Sequence, residues 1–590
     1  MGRNLLLLVF LGALVGGLYF GAPPPAPIVS SESSISRPIR GAIHVHTRRS
    51  DGTGTMETVA EAASAAGLQF VIVTDHGPRV SFGDGFEGIG PPDPPTYYGE
   101  VLVIDAVEIT TEQGHLVALG LPKFPYRLGG EARDVVEDIN RLGGFSIAAH
   151  PVSKKPSTEW KDWDVPLEGI ELLNGDSAWR DESIIGLTRV LLGYPFRSAE
   201  ALALLLDRPE EALRLWDTLL SERKVIGIAS ADAHARIGTS LSANNHPDRD
   251  RYSVPLPSYE AIFKTFSIGL PKLSLIGEAE HDAIAVIEEV RAGRLYTLID
   301  GVARSGALSF SATSGDQSVI GGEELIVNGP ATILASVAGP LDTQISLVKN
   351  GQILMRVPGP TLEYQAGEEA SGVYRVEIDV PLAPGSPPVP WIISNPIYVK
   401  KVRPSVKEPP FERVSASLPF ELKQEDWSIE SSSLAEGALD LTPTVEGFQL
   451  LFRYALSGEE KESSAYVAAA VPVVKNITDY DALTFSIRSD KPARVSVQLR
   501  ALLPNLSGPD LNAKEEGRWR RSVYVDTTPR TISLRFDDMK PVLETLDLHP
   551  SLNHTETLLF VIDTVNTLVG SSGSIGLEDL RYEKIDSEEP

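Results

Sequence analysis

The sequence of 590 residues predicts a multidomain chain, with an N-terminal α/β domain followed by two all-β domains. Its length exceeds what one hydrophobic core usually serves. From Ile39 to about Arg304, short apolar strands alternate with amphipathic helical stretches, which is typical of a mainly parallel sheet or barrel with helices outside. After Gly301 the helical periodicity disappears, and short alternating strands are separated by Gly, Pro and Asn turns.

Charge and cysteine content limit the classes of function and of site. The net charge of -27 argues against a surface that wraps nucleic acid, because such a surface has to neutralise phosphates. The chain has no cysteine, which excludes disulfides and zinc–thiolate sites. Any metal site must therefore be built from His, Asp and Glu.

The N-terminus predicts export from the cytoplasm. Arg3 precedes an apolar run from Leu5 to Ala22, whose length lies between a signal-peptide core and a short transmembrane helix. We interpret residues 1–22 as a signal peptide or membrane anchor, and 23–38 as a Pro/Ser-rich spacer. An uncleaved anchor is favoured because no small-x-small cleavage site is visible. Either alternative predicts an extracytoplasmic, bacterial-type protein in the periplasm or at the cell surface.

The α/β domain is predicted over residues 39–303. Its proposed strands are GAIHVHT, QFVIVTDH, VLVIDAVEIT, HLVALGL, FSIAAHP, GIELLN and VIGIASADAH. Amphipathic stretches at Met56–Ala66, Glu131–Leu142 and Ser198–Glu222 predict helices between them. Six of the seven strands carry a His, Asp or Glu near one end, which is where barrel enzymes place their chemistry.

The two all-β domains are predicted over 304–402 and 403–590. The pattern of the first predicts an immunoglobulin-like β-sandwich, and Lys349-Asn350-Gly351 predicts a hairpin turn within it. A charged, Pro-containing linker at Lys400–Glu412 follows. About ten further strands then predict a jelly roll.

Ionisable side chains at the strand ends of the first domain predict a metal site. His44 and His46 alternate along one strand and so share a face, and the following turn can bring Asp51 back over it. The candidate ligands are His44, His46, Asp51, His76, Glu108, His115, His150, Asp232 and His234. Without a cation, gathering so many ionisable groups would cost several kcal/mol in desolvation and like-charge repulsion. This ligand set suits Zn, Mn or Fe, and Glu108 can bridge two ions.

At these residues the sequence resembles the PHP family, the polymerase and histidinol phosphatase domain. The motifs HVHTRRSDG, VTDH, EIT…GHLVALG, AAHP and SADAH appear in order. The stretch from Asp282 to Ala303 also resembles the tail of extracytoplasmic members that carry C-terminal β domains. The resemblance implies a distorted seven-stranded β/α barrel holding two or three divalent metals. It implies one ion on His44, His46, Glu108 and Asp232, a second on Glu108, His115 and His150, and a third on Asp51, His76 and His234.

The resemblance and the ligand set together predict a metal-dependent hydrolase. We expect a phosphomonoesterase or phosphodiesterase that uses a metal-activated hydroxide at a di- or trinuclear centre and acts on a small-molecule or glycan-linked phosphoester. Asp51 and His234 are the candidates for proton transfer. Arg79, Arg180 and Arg236 each follow a site strand and are the candidates for orienting phosphate. Hydrolysis of an amide, carbamate or ester is the alternative chemistry.

The segment 403–590 resembles galactose-binding-like jelly rolls of the carbohydrate-binding type, through its strand texture and its closing strand IGLEDLRY. Trp427, Tyr454 and Trp519 are its candidate sugar-stacking residues, with a place in the core as the alternative interpretation. A surface glycan-binding protein with a non-catalytic PHP domain therefore remains a further hypothesis.

Overall fold

The chain folds mostly as β-sheet and forms two compact units in a computed structural model. The residues described are 22–28, 35–77, 93–124, 126–156, 158–177, 183–238, 253–340, 342–367, 369–401, 411–420, 423–444, 447–457, 465–473, 476–504, 514–543 and 546–588. Of these, the second unit takes Phe124–Gly130 and the part after Pro404, and the first unit takes the remainder.

The first unit begins with a region of alternating strands and helices. Its helices are α1 (Met56–Ala65), α2 (Ala132–Arg141), α3 (Ile184–Gly193), α4 (Ser198–Ala203), α5 (Glu210–Glu222), α6 (Tyr259–Phe263) and α7 (Ala279–Arg291). Its strands are β1 (Ile39–Ile43), β2 (Phe70–Val73), β3 (Thr96–Tyr98), β4 (Val101–Asp105), β5 (Val107–Thr111), β6 (Gly114–Leu119), β7 (Phe145–Ala148), β8 (Gly169–Asn174), β9 (Ile226–Ser230), β10 (Ile237–Gly238), β11 (Ser253–Val254), β12 (Ser267–Leu270) and β13 (Tyr296–Leu298).

These strands form two mixed sheets, which differ from the mainly parallel arrangement that the sequence predicted. One contains the order β13-β12-β1-β2-β4-β3, and the other is β5-β6-β7-β8-β9. The pairs β1/β2, β2/β4, β7/β8 and β8/β9 are parallel, whereas β5/β6 and β3/β4 are hairpins joined by short turns. Isolated parallel bridges, Val45 to Ala233 and His76 to Glu108, connect the two sheets just beyond the ends of β1 and β2.

Helix packing follows the predicted amphipathic pattern, with one correction. Helix α2 buries Val135, Val136 and Ile139 on one face, as apolar spacing of three and four residues requires. The stretch Ser198–Glu222, predicted as one helix, is two helices, α4 and α5. Pro209 caps α5 and separates them, because proline has no N–H to donate and disfavours helical backbone in the residue before it.

The strands from Ala307 to Lys401 continue the first unit. They are β14 (Ala307–Ser314), β15 (Gln317–Ile320), β16 (Glu324–Val327), β17 (Ala331–Ala338), β18 (Gln344–Lys349), β19 (Gln352–Pro358), β20 (Thr361–Ala366), β21 (Gly372–Asp379), β22 (Ile392–Ser394) and β23 (Ile397–Lys401). One layer is the sheet β15-β14-β17-β20. The other layer joins the α/β region because β22 pairs with β13. The predicted hairpin turn is confirmed: Lys349 pairs with Gln352, and Asn350 and Gly351 have positive φ.

The second unit is an antiparallel β-sandwich. Its strands are β24 (Phe411–Pro419), β25 (Ser428–Ser431), β26 (Ala435–Thr444), β27 (Gly447–Leu456), β28 (Tyr466–Pro472), β29 (Ala482–Ser489), β30 (Ala493–Pro504), β31 (Lys514–Val525), β32 (Arg530–Arg535), β33 (Lys540–Pro541), β34 (Thr555–Asp563) and β35 (Ser572–Glu588). Six strands lie in each of two sheets. Side chains such as Phe452, Phe485 and Phe560 fill the space between the sheets.

The part of the predicted spacer at residues 23–28 packs against helix α4 and the residue before it within the first unit. Arg197 Nη1 donates to the carbonyl oxygen of Pro23 at 2.6 Å, and Ala26 N donates to Glu200 Oε1 at 3.1 Å. Residues 1–21, which include most of the predicted anchor, and 402–410 of the predicted linker lie outside the described residues. Among the residues that are described, no helix has the length and apolar character to cross a membrane.

Candidate metal centre

The nine predicted ligands lie together where the two sheets are bridged. His44 and His46 follow β1, His76 follows β2, His150 follows β7, and Asp232 and His234 follow β9. Glu108 and His115 are on the β5–β6 hairpin. The predicted strand VLVIDAVEIT is in fact two strands, β4 and β5, because the chain leaves one sheet at Ala106 and enters the other.

Glu108 is the centre of the cluster and is 1 % exposed. Its Oε1 lies 2.8 Å from His115 Nδ1 and 3.2 Å from His150 Nε2. Its Oε2 lies 3.3 Å from His44 Nε2, 3.2 Å from His46 Nε2 and 3.2 Å from His76 Nδ1. Both carboxylate oxygens therefore face imidazole nitrogens, as a bridging ligand requires.

Two further carboxylates complete the cluster. Asp232 Oδ1 lies 3.5 Å from each of His44 Nε2, His46 Nε2 and His234 Nδ1. Asp51 Oδ2 lies 3.1 Å from His234 Nε2, and Asp51 Oδ1 lies 3.8 Å from His76 Nε2. The turn after β1 therefore brings Asp51 back over the histidines, as the sequence predicted.

In the described residues, three groups of candidate ligands each have their ligand atoms within 4.8 Å of one another. The groups are His46, Asp51, His76 and His234; His44, His46 and Glu108; and His76, Glu108 and His115. Two ligand atoms on one tetrahedral Zn²⁺ lie about 3.3 Å apart when each bond is about 2.0–2.1 Å. The 3.2–3.5 Å separations between Glu108 or Asp232 and His44 or His46 match that spacing.

Within the cluster, the buried atoms His44 Nε2 and His46 Nε2 make no hydrogen bond. Leaving a buried polar atom unpaired costs about 1–3 kcal/mol, so such atoms call for a partner. Both lie close to Glu108 Oε2, at 3.3 and 3.2 Å respectively. The residues therefore fit a divalent cation held between them.

Three histidines have Nδ1 beside an acceptor, which favours the tautomer that metal binding needs when the ring is neutral. His44 Nδ1 lies 2.6 Å from Glu171 Oε1, and the Nδ1 atoms of His150 and His234 lie 3.1 and 3.0 Å from backbone carbonyl oxygens. When Nδ1–H donates to such an acceptor, the lone pair of Nε2 is left for a metal. The Nε2 atoms of these three histidines face Glu108 or Asp51.

Glu171 is a residue of the candidate site that the motifs did not reveal. Besides His44, it accepts His150 N at 2.6 Å and Asn174 Nδ2 at 2.8 Å, and Asn174 Nδ2 also reaches Asp232 Oδ2 at 2.9 Å. The available signal was one acid inside the otherwise apolar strand GIELLN. Burial of an acid at 1 % exposure requires partners of this kind.

Asp75 is a second such residue, and it holds the turn that carries Asp51. Its Oδ1 accepts Thr47 N at 2.7 Å and Ser50 Oγ at 2.5 Å, and its Oδ2 accepts Thr47 Oγ1 at 2.6 Å and Arg49 Nε at 3.1 Å. These bonds, together with ionised partners, lower the pKa of Asp75 although burial alone would raise it. The carboxylate therefore stays ionised under the turn.

The backbone is strained at the ligands. His44, His150 and Asp232 have φ of 66°, 32° and 43°, in the left-handed region that non-glycine residues rarely occupy. Such conformations cost about 1–3 kcal/mol each and persist where the surroundings enforce them, often at functional sites.

The electrostatics of the metal-free cluster favour protonated histidines. Burial alone would lower the pKa of His44, but three surrounding carboxylates outweigh burial and raise it well above its ordinary value. The pKa of His234 is raised to about 10, because Asp51 and other acids outweigh burial. In the opposite sense, burial would raise the pKa of Glu108, but the histidines around it hold that pKa well below its ordinary value.

Of the predicted phosphate-orienting arginines, Arg236 lies at the cluster. Its Nη2 is 3.8 Å from Asp51 Oδ2, and its side chain is 17 % exposed. Arg79 and Arg180 lie outside the described residues.

The candidate sugar-stacking residues of the second unit lie in its core. Trp427, Tyr454 and Trp519 are 6 %, 3 % and 0 % exposed. Their burial removes these three from any stacking platform, and carbohydrate binding by this unit stays a prediction.

The comparisons found no matching family model and no matching curated protein. A family 11 carbohydrate-binding module from Clostridium thermocellum, solved with a β-1,3-1,4-mixed-linked tetrasaccharide, is 12% identical with a TM-score of 0.23, over 28% of this chain and 95% of that one. A family 30 module of a cellulosomal cellulase of the same organism is 10% identical with a TM-score of 0.21, over 30% and 99%. Likenesses of this size assign neither a function nor a ligand to this chain.

Proposed function

We propose that the chain is a metal-dependent hydrolase of the PHP type, and that phosphomonoesters or phosphodiesters are its substrates. The observation that supports this is the pair of buried nitrogens without a hydrogen bond, His44 Nε2 and His46 Nε2, beside Glu108. Six histidines and three carboxylates in such contact form a cation site rather than a stabilising core.

The ligand sets implied by the resemblance are compatible with the contacts. We propose one ion on His44, His46, Glu108 and Asp232, a second on Glu108, His115 and His150, and a third on Asp51, His76 and His234. Zn, Mn or Fe ions bound there would acidify a water molecule and supply positive charge to the substrate oxyanion.

The chain's own residues supply proton transfer and substrate orientation. Burial would raise the pKa of Asp51, but His234 and nearby histidines hold that pKa well below its ordinary value, so in the metal-free pair Asp51 is ionised beside a protonated His234. A proton on His234 Nε2, 3.1 Å from Asp51 Oδ2, can be donated to the leaving oxygen of the substrate. Arg236 adds a guanidinium beside the pair, which suits an anionic oxygen of the substrate.

Phosphoester chemistry is preferred over the hydrolysis of an amide, carbamate or ester because the PHP resemblance points that way. The same acidified water can attack a carbonyl carbon, so both chemistries enter the test. A non-catalytic PHP domain is disfavoured. A site without activity tolerates the loss of ligating residues, whereas every ligand position of the motifs has a His, Asp or Glu in this chain.

We also propose that the protein acts outside the cytoplasm and that Leu5–Ala22 holds it at the membrane. The support is the apolar composition of this run and the basic residue Arg3 before it.

The experiment is to purify the full chain, measure bound metal by elemental analysis, and assay a panel of phosphomonoesters, phosphodiesters and carboxylesters. We expect two or three ions per chain and turnover that a chelator abolishes and added Zn, Mn or Fe restores. Loss of the phosphoester activity alone or of the carboxylester activity alone on chelation identifies the metal-dependent reaction.

The variants are Asp51→Ala and His150→Ala, with His281→Ala as the matched control. His281 is 60 % exposed and lies outside the cluster, so its variant keeps full metal content and turnover. A folded full chain that binds no metal, or a loaded chain whose turnover survives both site substitutions, would overturn the proposal.

A further inference from the structure

Helix α3 presents aliphatic side chains to solvent. Ile184, Ile185, Leu187, Leu191 and Leu192 are 84 %, 76 %, 36 %, 67 % and 47 % exposed, while Val190 and Gly193 face the first unit. A surface helix of a globular domain normally turns its apolar residues inward. Clustered exposed apolar side chains mark a contact with another protein or with a membrane.

The charge of α3 suits the surface of a membrane. The helix carries Arg189 and no carboxylate, in a chain whose net charge is -27. A basic residue beside exposed aliphatic side chains favours contact with the surface of an anionic bilayer.

The position of α3 indicates the same partner. A Cβ built on Gly193 would lie 2.9 Å from Pro23 Cδ, so the chain at Pro23 packs against the C-terminal end of α3. Arg197 and Glu200 fix this approach by their bonds to Pro23 and Ala26. The apolar run Leu5–Ala22 therefore ends beside α3.

We propose that α3 lies in the surface of the membrane, with Leu191, Ile185 and their neighbours in the acyl boundary and Arg189 at the anionic head groups. This rests on the proposed membrane location of Leu5–Ala22. Because that run ends at α3, the helix meets the bilayer at high effective concentration, and two weak attachments act together. The result is a first unit held against the lipid surface by two points rather than one.

Because the natural chain has no cysteine, single labels can test this in the full protein. Leu191→Cys and Ile185→Cys report on α3. Ile284→Cys on α7, 60 % exposed in a helix with acidic residues in its first turn, is the matched control. Each variant is spin-labelled and reconstituted in phosphatidylcholine–phosphatidylglycerol vesicles, and its collision rates with oxygen and with a water-soluble nickel chelate are measured.

We expect both α3 labels to collide preferentially with oxygen, with an oxygen-to-nickel ratio several-fold above that of the Ile284 label. Ratios equal to the control would overturn the proposal while leaving the membrane location intact. Shielding from both reagents would also overturn it, because protein, either a second copy or the Leu5–Ala22 run, would then cover α3. A chain that does not associate with vesicles would overturn the membrane location as well.

Discussion

At the scale of single residues, Glu171 is the side chain on which the orientation of His44 depends. It accepts His44 Nδ1–H at 2.6 Å and the backbone N–H of His150 at 2.6 Å. Outer carboxylates of this kind orient ligand imidazoles, and their removal typically lowers metal affinity about 10–100-fold. We expect Glu171→Gln to lower metal affinity by this factor in a folded protein, as measured by competition with a chromophoric chelator.

Glu168→Gln is the matched control for that measurement. Glu168 Oε2 accepts Ser146 N at 3.0 Å and Ser146 Oγ at 2.7 Å, and it makes no contact with the cluster among its described bonds. Its substitution should change stability without changing metal affinity. Equal affinities in the two variants would refute the orienting role of Glu171.

The proposed metal ligands could be predicted from the sequence, but the residues that support them could not. His44 and His46 were recognised because two imidazoles alternate along one predicted strand, and the other candidates, except Asp51 on the following turn, lie at or near a strand end. Glu171 and Asp75 act through bonds to residues 127 and 28 positions away, respectively. Such pairings depend on how the strands are brought together, which local periodicity does not encode.

At the scale of elements, the turn from Thr47 to Gly52 positions Asp51 beside the histidines. Tyr259 on α6 stabilises this turn through bonds to the backbone on either side of it. The Tyr259 hydroxyl accepts Thr53 N at 3.1 Å and Gly54 N at 3.0 Å and donates to His46 O at 2.7 Å. Tyr259→Phe leaves Gly54 N and His46 O without this partner, whereas Thr53 N keeps its bond to His234 O at 3.0 Å. We expect the free energy of unfolding, measured with urea, to fall by about 1–3 kcal/mol.

The same substitution should weaken binding of the ion proposed on Asp51, His76 and His234 more than binding of the others. Sequential metal titration of Tyr259→Phe measures this. Tyr364→Phe, on β20, is the control and should shift the free energy of unfolding by less than about 0.5 kcal/mol. Unaltered titration of every ion in Tyr259→Phe would contradict a positioning role for the turn.

The prediction of helices and strands succeeded where the sequence pattern is local. It failed where pairing with distant strands determines the element. Helices α1 and α2 match their predicted stretches to within one residue at either end, because their apolar spacing is regular. The division of VLVIDAVEIT into β4 and β5 was not predicted, since no glycine or proline separates the two halves. It arises because β4 pairs with β2 while β5 pairs with β6.

At the scale of the whole molecule, Asn395 joins the strands after Ala307 to the site region. Its Oδ1 accepts Gly227 N at 2.9 Å, and its Nδ2 donates to Gly227 O at 2.8 Å, on the strand that leads to Asp232 and His234. Asn395 is 1 % exposed. We expect Asn395→Ala to lower the free energy of unfolding by about 2–3 kcal/mol, because it leaves buried groups of Gly227 unpaired.

Chemical denaturation of Asn395→Ala beside the parent chain measures this loss. A change below about 0.5 kcal/mol, the range of an ordinary surface substitution, would contradict it. The pairing of β22 with β13, on which Asn395 depends, was hidden in the sequence because strands that are about 90 residues apart carry no signal of their partnership.

The titrating cluster predicts opposite effects of pH on the metal-free and loaded protein. Raised histidine pKa values stabilise the metal-free fold at pH below about 6.5, and this contribution is lost as pH rises towards about 10, the folded pKa of His234. Lowered carboxylate pKa values stabilise it above about pH 4, and that contribution is lost as pH falls further. Metal binding requires unprotonated histidines and therefore strengthens as pH rises.

We expect the difference in Tm between the loaded and metal-free protein to widen from pH 6 to pH 9, by thermal unfolding with and without chelator. The metal-free Tm should itself decline over this range. A Tm difference that narrows as pH rises would show that metal binding does not displace protons from these histidines.

The position of Glu108 has a consequence for the stoichiometry of loading. Glu108 would contact two of the proposed ions. The first ion to bind therefore fixes the orientation of the Glu108 carboxylate that the second ion needs, and it also displaces protons from the histidines that would oppose binding of the second ion. Occupancy should then be cooperative. At limiting metal, a population of chains would divide into empty and multiply loaded molecules, with few that hold a single ion, and native mass spectra would count them directly.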